Sequence, residues 1–350
     1  MNSALLIDFG STYTKLRSVD LERCVISGSS QGPSTVNTDI TIGMDIALEQ
    51  LKSVLGYLPE FKYRLASSSA AGGLKMVTIG LVRELTLEAA RRAALGAGAK
   101  LIGTYAYRLN SNDLKNIIYS EPDIVLLAGG TDGGDSQVVI HNAKLIGACP
   151  ISCPIIYAGN RSAIDEVAKN LATKFLIISE NVMPEFGELN IEPTRAAIRE
   201  LFIKNIINAK GIHKAQGKID SVLMPTPAAV LEGARLLADG VDGLEGLGEL
   251  LVIDPGGATT DVHSIAIGTP TVQGVVSRGL IETRLKRTVE GDLGMRHNAR
   301  TIVEISGINV IAKEAGLNID EVTKIIDSFL NNVDRLPINE SEKRVDEALA

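Results

Sequence analysis

Short apolar runs punctuated by Gly, Ser and Thr recur along the chain, and two of them are near copies set 246 positions apart. Residues 5–19 overlay residues 251–265 with six of fifteen pairs identical, among them Asp8/Asp254, Gly10/Gly256 and Thr14/Thr260. Each copy predicts an apolar strand ending in Asp, a turn of small polar residues, and a second strand. Third strands are expected at 23–27 and 271–277. The pattern therefore predicts two β-meanders, each opening its own domain.

Between the copies the periodicity changes. Helical spacing predicts helices over 45–55, 86–97, 162–172, 193–208 and 225–237. An extended segment at 62–67 leads into a small-residue run, 67–73. Buried-type strands are expected at 123–128, 153–158 and 174–178, which with the helix at 162–172 make an inner α/β block, 122–180, around a parallel sheet. Its glycine loop follows a strand's C-terminal end, where open α/β sheets place ligands, so Gly129, Gly130 and Thr131 are candidate nucleotide contacts. The acidic, Gly-rich stretch 239–249 reads as a hinge. Domains are expected at 1–238 and 250–350. The segment 279–296 reads as a solvated, salt-bridged helix, or as a loop carrying an acid (Glu282, Glu290 or Asp292) toward a phosphate or a partner.

The repeated turns have the chemistry of a phosphate clamp. Gly10, Gly256 and Gly257 let successive backbone N–H groups converge on an anion. Ser11, Thr12, Thr14, Thr259 and Thr260 add hydroxyl donors, with Lys15 and Asp261 beside them. Asp8 and Asp254, at the strand ends, offer hard oxygen ligands for Mg²⁺ and are the candidate catalytic and metal residues. Two such turns facing one another would hold the phosphates of ATP. Cys149 and Cys153 with His141 lack a second ligand pair and read as core or loop thiols.

Composition narrows the class. Of 350 residues, 45% are hydrophobic, 4% aromatic and 34 are Gly, with no Trp, which suits an α/β core of aliphatic side chains. A net charge of −7 gives no footprint for nucleic acid or anionic lipid. Three Cys, no basic leader before Asp8 and no run of about 18 apolar residues predict a cytoplasmic protein that spans no membrane.

The motifs at 8–12 and 254–261 resemble the two phosphate motifs of the actin-like ATPase superfamily, which includes heat-shock chaperones and sugar kinases. That resemblance implies an α/β chain of two ribonuclease-H-like domains with mixed sheets, plus the inner block, and ATP·Mg²⁺ in the cleft between them. Segments 67–76, 127–134, 254–261 and 286–296 together resemble the accessory proteins encoded with adenosylcobalamin-dependent glutamate mutase. This closer resemblance implies a chaperone-like, Mg-dependent ATPase that reactivates a cobalamin mutase subunit. The first motif is also similar to ATP-dependent activators of 2-hydroxyacyl-CoA dehydratases, and a non-enzymatic actin-like scaffold is a further alternative. The superfamily's Gly-Gly adenosine turn is not found after the second motif. The last helix, from Glu340, holds Val345, Ala348 and Leu349 on one side as if awaiting further sequence. The second domain is thus expected to be incomplete and its ATP affinity weak.

Overall fold

The structure is a computed structural model that describes residues 2–35, 39–69, 74–209, 218–269, 274, 280–333 and 335–350. It is a mixed α/β chain with several sheets. The first repeat forms an antiparallel meander, β1 (Ser3–Phe9), β2 (Tyr13–Asp20) and β3 (Val25–Pro33). Helix α1 (Ile40–Leu55) starts where the Asp39 side chain accepts from Thr41 N and stops at Gly56 with φ 77°. Its buried stripe of Ile40, Met44, Ala47 and Leu51 packs on the meander. Strand β4 (Tyr63–Ser68) lies parallel to β1.

A second sheet is wholly parallel: β5 (Leu74–Gly80), β6 (Ala99–Ala106), β7 (Ile124–Leu127), β8 (Ile155–Tyr157) and β9 (Leu176–Ile178). Its order, β6-β5-β7-β8-β9, is the flavodoxin-like doubly wound order. The helices between its strands are α2 (Glu88–Gly96), α3 (Ser111–Tyr119), α4 (Gln137–Ala148) and α5 (Ile164–Asn170). Alternate residues of β7 serve two cores. Ile124 and Leu126 pack with Ala89 and Ala93 of α2, whereas Val125 and Leu127 pack with Val139 and Ile146 of α4. The sheet draws β5 and β6 from before residue 122, so the parallel unit is wider than the block 122–180.

After α6 (Glu192–Ala209), strand β10 (Ser221–Pro225) returns to the first sheet beside β4, giving the order β10-β4-β1-β2-β3. Helix α7 (Thr226–Asp239) follows, with Pro227 in its first turn. The stretch expected as a hinge carries a small hairpin, β11 (Gly240–Val241) with β12 (Leu244–Glu245). It is fastened to α7: Leu247 N and Gly248 N donate to Leu237 O and Ala238 O, and Asp239 pairs with Arg235 and Arg284.

The second repeat is the sheet β13 (Leu250–Pro255), β14 (Thr260–Ile265) and β15 (Leu285–Glu290). Its third strand is Leu285–Glu290; the strand expected at 271–277 lies, apart from Gly274, outside the described residues. The solvated helix expected within 279–296 is corrected by β15, because Arg287 finds a buried partner across the sheet. Four helices close the chain: α8 (Ala299–Ser306), α9 (Ile308–Ala315), α10 (Ile319–Asn331) and α11 (Glu340–Leu349). Val345 and Leu349 of α11 are buried with Ala312, Val322 and Phe329, so the chain's own helices cover the apolar side expected to await further sequence. Among the described residues no helix is long and apolar enough to cross a membrane.

Candidate functional site

The repeat visible in the sequence is a repeat of backbone geometry. Gly10 N donates to Tyr13 O at 2.9 Å, and the equivalent Gly256 N donates to Thr259 O at 2.9 Å. A Cβ on either glycine would press on that same carbonyl, at 2.6 Å and 2.8 Å respectively. Each turn is also braced from behind. Ser34 Oγ donates to Gly10 O, and Met295 N donates to Gly256 O.

The two turns meet across a cleft. Asp8, Gly10, Ser11, Thr12, Lys15, Asp254, Gly256 and Gly257 line one cavity of about 260 Å³. Ser11, Asp254, Gly256, Thr259 and Asp261 border an adjoining cavity of about 110 Å³. Thr14 and Thr260 stand behind these walls. Thr260 Oγ1 donates to Leu293 O at 2.6 Å, whereas the buried hydroxyls of Thr12 and Thr14 have no hydrogen-bond partner among the described residues.

Asp8 sits at the end of β1, opposite Lys15. Its Oδ1 accepts from Thr226 Oγ1 at 2.6 Å and from Ser67 Oγ at 3.4 Å. Burial pushes its pKa above the ordinary carboxylate value; the Thr226 hydroxyl and Lys15 pull it back, and Asp254 adds to the rise. Asp254 is paired instead with Asp261. Arg287 of β15 supplies the missing charge, its Nη2 reaching the two Asp261 oxygens at 3.0 and 3.1 Å. Its Nη1 donates to Leu95 O and Ala99 O, so one guanidinium ties the second hairpin to α2 and β6. Burial still outweighs Arg287 and holds the Asp261 pKa above its usual value. His263, facing Arg287 across the sheet, is driven down to about 4 by burial and then by that arginine.

Arg296 closes the far side of the larger cavity. Fully buried, it donates to Tyr13 OH at 2.9 Å, pairs with Asp346 of α11, and lies 4.0 Å from the Phe329 ring centroid. Arg296 N and His297 N also donate to Gly257 O. The C-terminal helices are thereby fastened to both turns.

Gly129, Gly130 and Thr131 are elsewhere. They follow β7 of the parallel sheet, and their loop is held internally: Asn160 accepts from Gly133 N and donates to Gly134 O, and Asn181 donates to Gly130 O. They line neither cavity. Cys149 and Cys153 are free thiols, and burial raises both their pKa values, that of Cys153 to about 11.

Sequence reasoning missed Thr226, Arg287 and Arg296. Thr226 opens α7 between two prolines, a helix-start signal that said nothing of Asp8. The two arginines lie in the segment 286–296, where only the resemblance marked them as special.

A family model described as MutL protein matches residues 4–350. The protein of Clostridium tetanomorphum named Protein MutL is 48% identical over 353 aligned positions, which span all of this chain and 76% of that protein. Among solved structures, component A of the (R)-2-hydroxyglutaryl-CoA dehydratase of Acidaminococcus fermentans matches 57% of this chain and 97% of its own, at 13% identity and a TM-score of 0.17. Porphyromonas gingivalis acetate kinase matches 99% of this chain and 76% of its own, at 8% identity and a TM-score of 0.26. Likenesses this slight carry no argument about chemistry.

Proposed function

The chain belongs to the MutL protein family, and from that premise we propose that it is a cytoplasmic, ATP-dependent accessory factor that reactivates an adenosylcobalamin-dependent mutase of the glutamate mutase type. The observation that carries the nucleotide half of this reading is the pair of equivalent turns, each headed by an Asp, lining one cleft. Both copies form an antiparallel meander, which supports reading each as the opening of a ribonuclease-H-like unit.

The residues fit a bound ATP·Mg²⁺. Thr12, which lines the cleft, has a buried hydroxyl without a partner among the described residues, a deficit that a phosphate oxygen would meet. Gly256 and Gly257 keep the second turn free of side chains, so its backbone amides can approach an anion. Asp8 and Asp254 would hold the cation. Its bound chemistry is neutralisation of charge on the transferring phosphoryl group. Thr226 and Ser67 fix the Asp8 carboxylate, and Lys15 offers a positive charge at the cleft wall. Arg287 and Arg296 connect the turns to α2 and to the C-terminal helices. Changes at the phosphates can thereby bias two arrangements of the chain that bind the mutase differently.

The test is recovery of activity. A glutamate mutase inactivated by a damaged cobalamin is incubated with this chain, MgATP and fresh adenosylcobalamin. Recovery that requires hydrolysable ATP is expected; recovery equal without the chain or without ATP overturns the reading. The dehydratase-activator alternative rests on the likeness of the first motif alone.

A further inference from the structure

We infer that Asp254, Asp261 and His263 make a binding site for a first-row transition-metal cation, with the His263 imidazole as its nitrogen ligand. The three side chains share one face of the β13–β14 pair. Asp254 and Asp261 are register partners, and His263 stands two residues beyond Asp261, where strand alternation returns it to that face. One oxygen from each carboxylate and one ring nitrogen lie within 4.8 Å of one another. Three donors about 2.0–2.2 Å from one ion sit roughly 3–3.8 Å apart, so closure draws the three atoms together by at most roughly 1–2 Å.

His263 itself points to a ligand. It is fully buried, and among the described residues neither of its ring nitrogens has a hydrogen-bond partner. A buried imidazole in that state has given up its water and gained nothing, an arrangement folded chains avoid. Arg287 does not fill the deficit, because its contacts go to Asp261 and to the carbonyls of Leu95 and Ala99. It leaves the two carboxylates a net negative charge, and each Asp261 oxygen keeps a lone pair beyond the one Arg287 uses.

The donor set selects the cation. Two carboxylates with one imidazole suit Mn²⁺, Fe²⁺, Co²⁺ or Zn²⁺, whereas Mg²⁺ favours oxygen donors alone. The smaller cavity, bordered by Asp254 and Asp261, gives the ion its approach. The site shares Asp254 with the proposed Mg²⁺ position but needs no nucleotide, so it goes beyond that reading and is tested apart from it.

Mn²⁺ alone is the probe, added to the full chain without nucleotide. Bound Mn²⁺ should show, by pulsed EPR, coupling to a nitrogen nucleus. His263→Leu should abolish that coupling and weaken Mn²⁺ binding at least about 10-fold. His263→Gln serves as a second variant, and the wild-type spectrum decides even where neither variant folds. No binding, bound Mn²⁺ without nitrogen coupling, or coupling that survives in a variant overturns the site. A parallel MgATP titration keeps the two readings apart. Normal nucleotide binding with no nitrogen coupling overturns only the transition-metal site, and nitrogen coupling with no nucleotide binding overturns only the cleft reading.

Discussion

Thr12 and Gly257 touch where the two repeated turns face each other: a Cβ added at position 257 would overlap the Thr12 hydroxyl. The glycine is required by closeness here, since an ordinary side chain would wedge the hairpins apart. The contact couples two segments 245 positions apart across the cleft.

Gly257→Ala should therefore act as a spacer. Overpacking at a tight contact costs about 1–3 kcal/mol, and the widened cleft should bind MgATP more weakly. Adding Thr12→Ala removes the clashing oxygen and should restore most of the lost stability. Denaturant unfolding of the single and double variants checks this; a Gly257→Ala protein as stable as wild type would show that the turns have slack.

Asp8 should trade stability for function. Burial raises its pKa, so between the ordinary carboxylate value and that raised one the folded state holds a proton the unfolded state has released. Stability consequently falls as pH climbs through this window and stays lower above it. Asp8→Asn removes the buried charge and keeps an oxygen for Thr226 and Ser67. Without ligand, the variant should melt above wild type at neutral pH, with the gap closing as pH nears about 4. A variant that melts lower at neutral pH contradicts the argument.

Arg287 should be among the costliest single losses in the second repeat. Arg287→Leu leaves Asp261 buried without its counter-ion and strips the donor from Leu95 O and Ala99 O, a defect worth about 3–5 kcal/mol. Arg287→Lys should rescue little, because an ammonium cannot span a carboxylate and two carbonyls as the planar guanidinium does. Urea midpoints of the two variants read the effect directly.

These residues mark how far the sequence was legible. The paired turns were visible because Asp8/Asp254 and Gly10/Gly256 sit in register, and the register survives as matching hydrogen bonds. The helix at 193–208 and the strands around 123–128 and 174–178 followed from apolar spacing. Arg287 was not legible, because a charged residue inside a strand reads as solvated until its cross-sheet neighbour is known. Thr226 reaches Asp8 across 218 positions, a closure that no local pattern encodes. The parallel sheet was read too narrowly because β5 and β6 flank an Ala-rich helix whose own signal dominates the segment. Gly129–Thr131 read as ligand contacts by their place after a strand; their loop lines neither cavity and is braced by Asn160 on Gly134 O and by Asn181 on Gly130 O.

The most direct measurement of the central claim is ATP hydrolysis by the full chain carrying Asp8→Asn or Asp254→Asn, with Mg²⁺ present and folding verified. Phosphoryl transfer depends almost wholly on positioning and charge stabilisation, so each variant should lose turnover by roughly 10²-fold or more. If the two carboxylates hold one cation between the turns, both variants fail; if both hydrolyse ATP at the wild-type rate, the cleft between Asp8 and Asp254 is not where the nucleotide is cleaved.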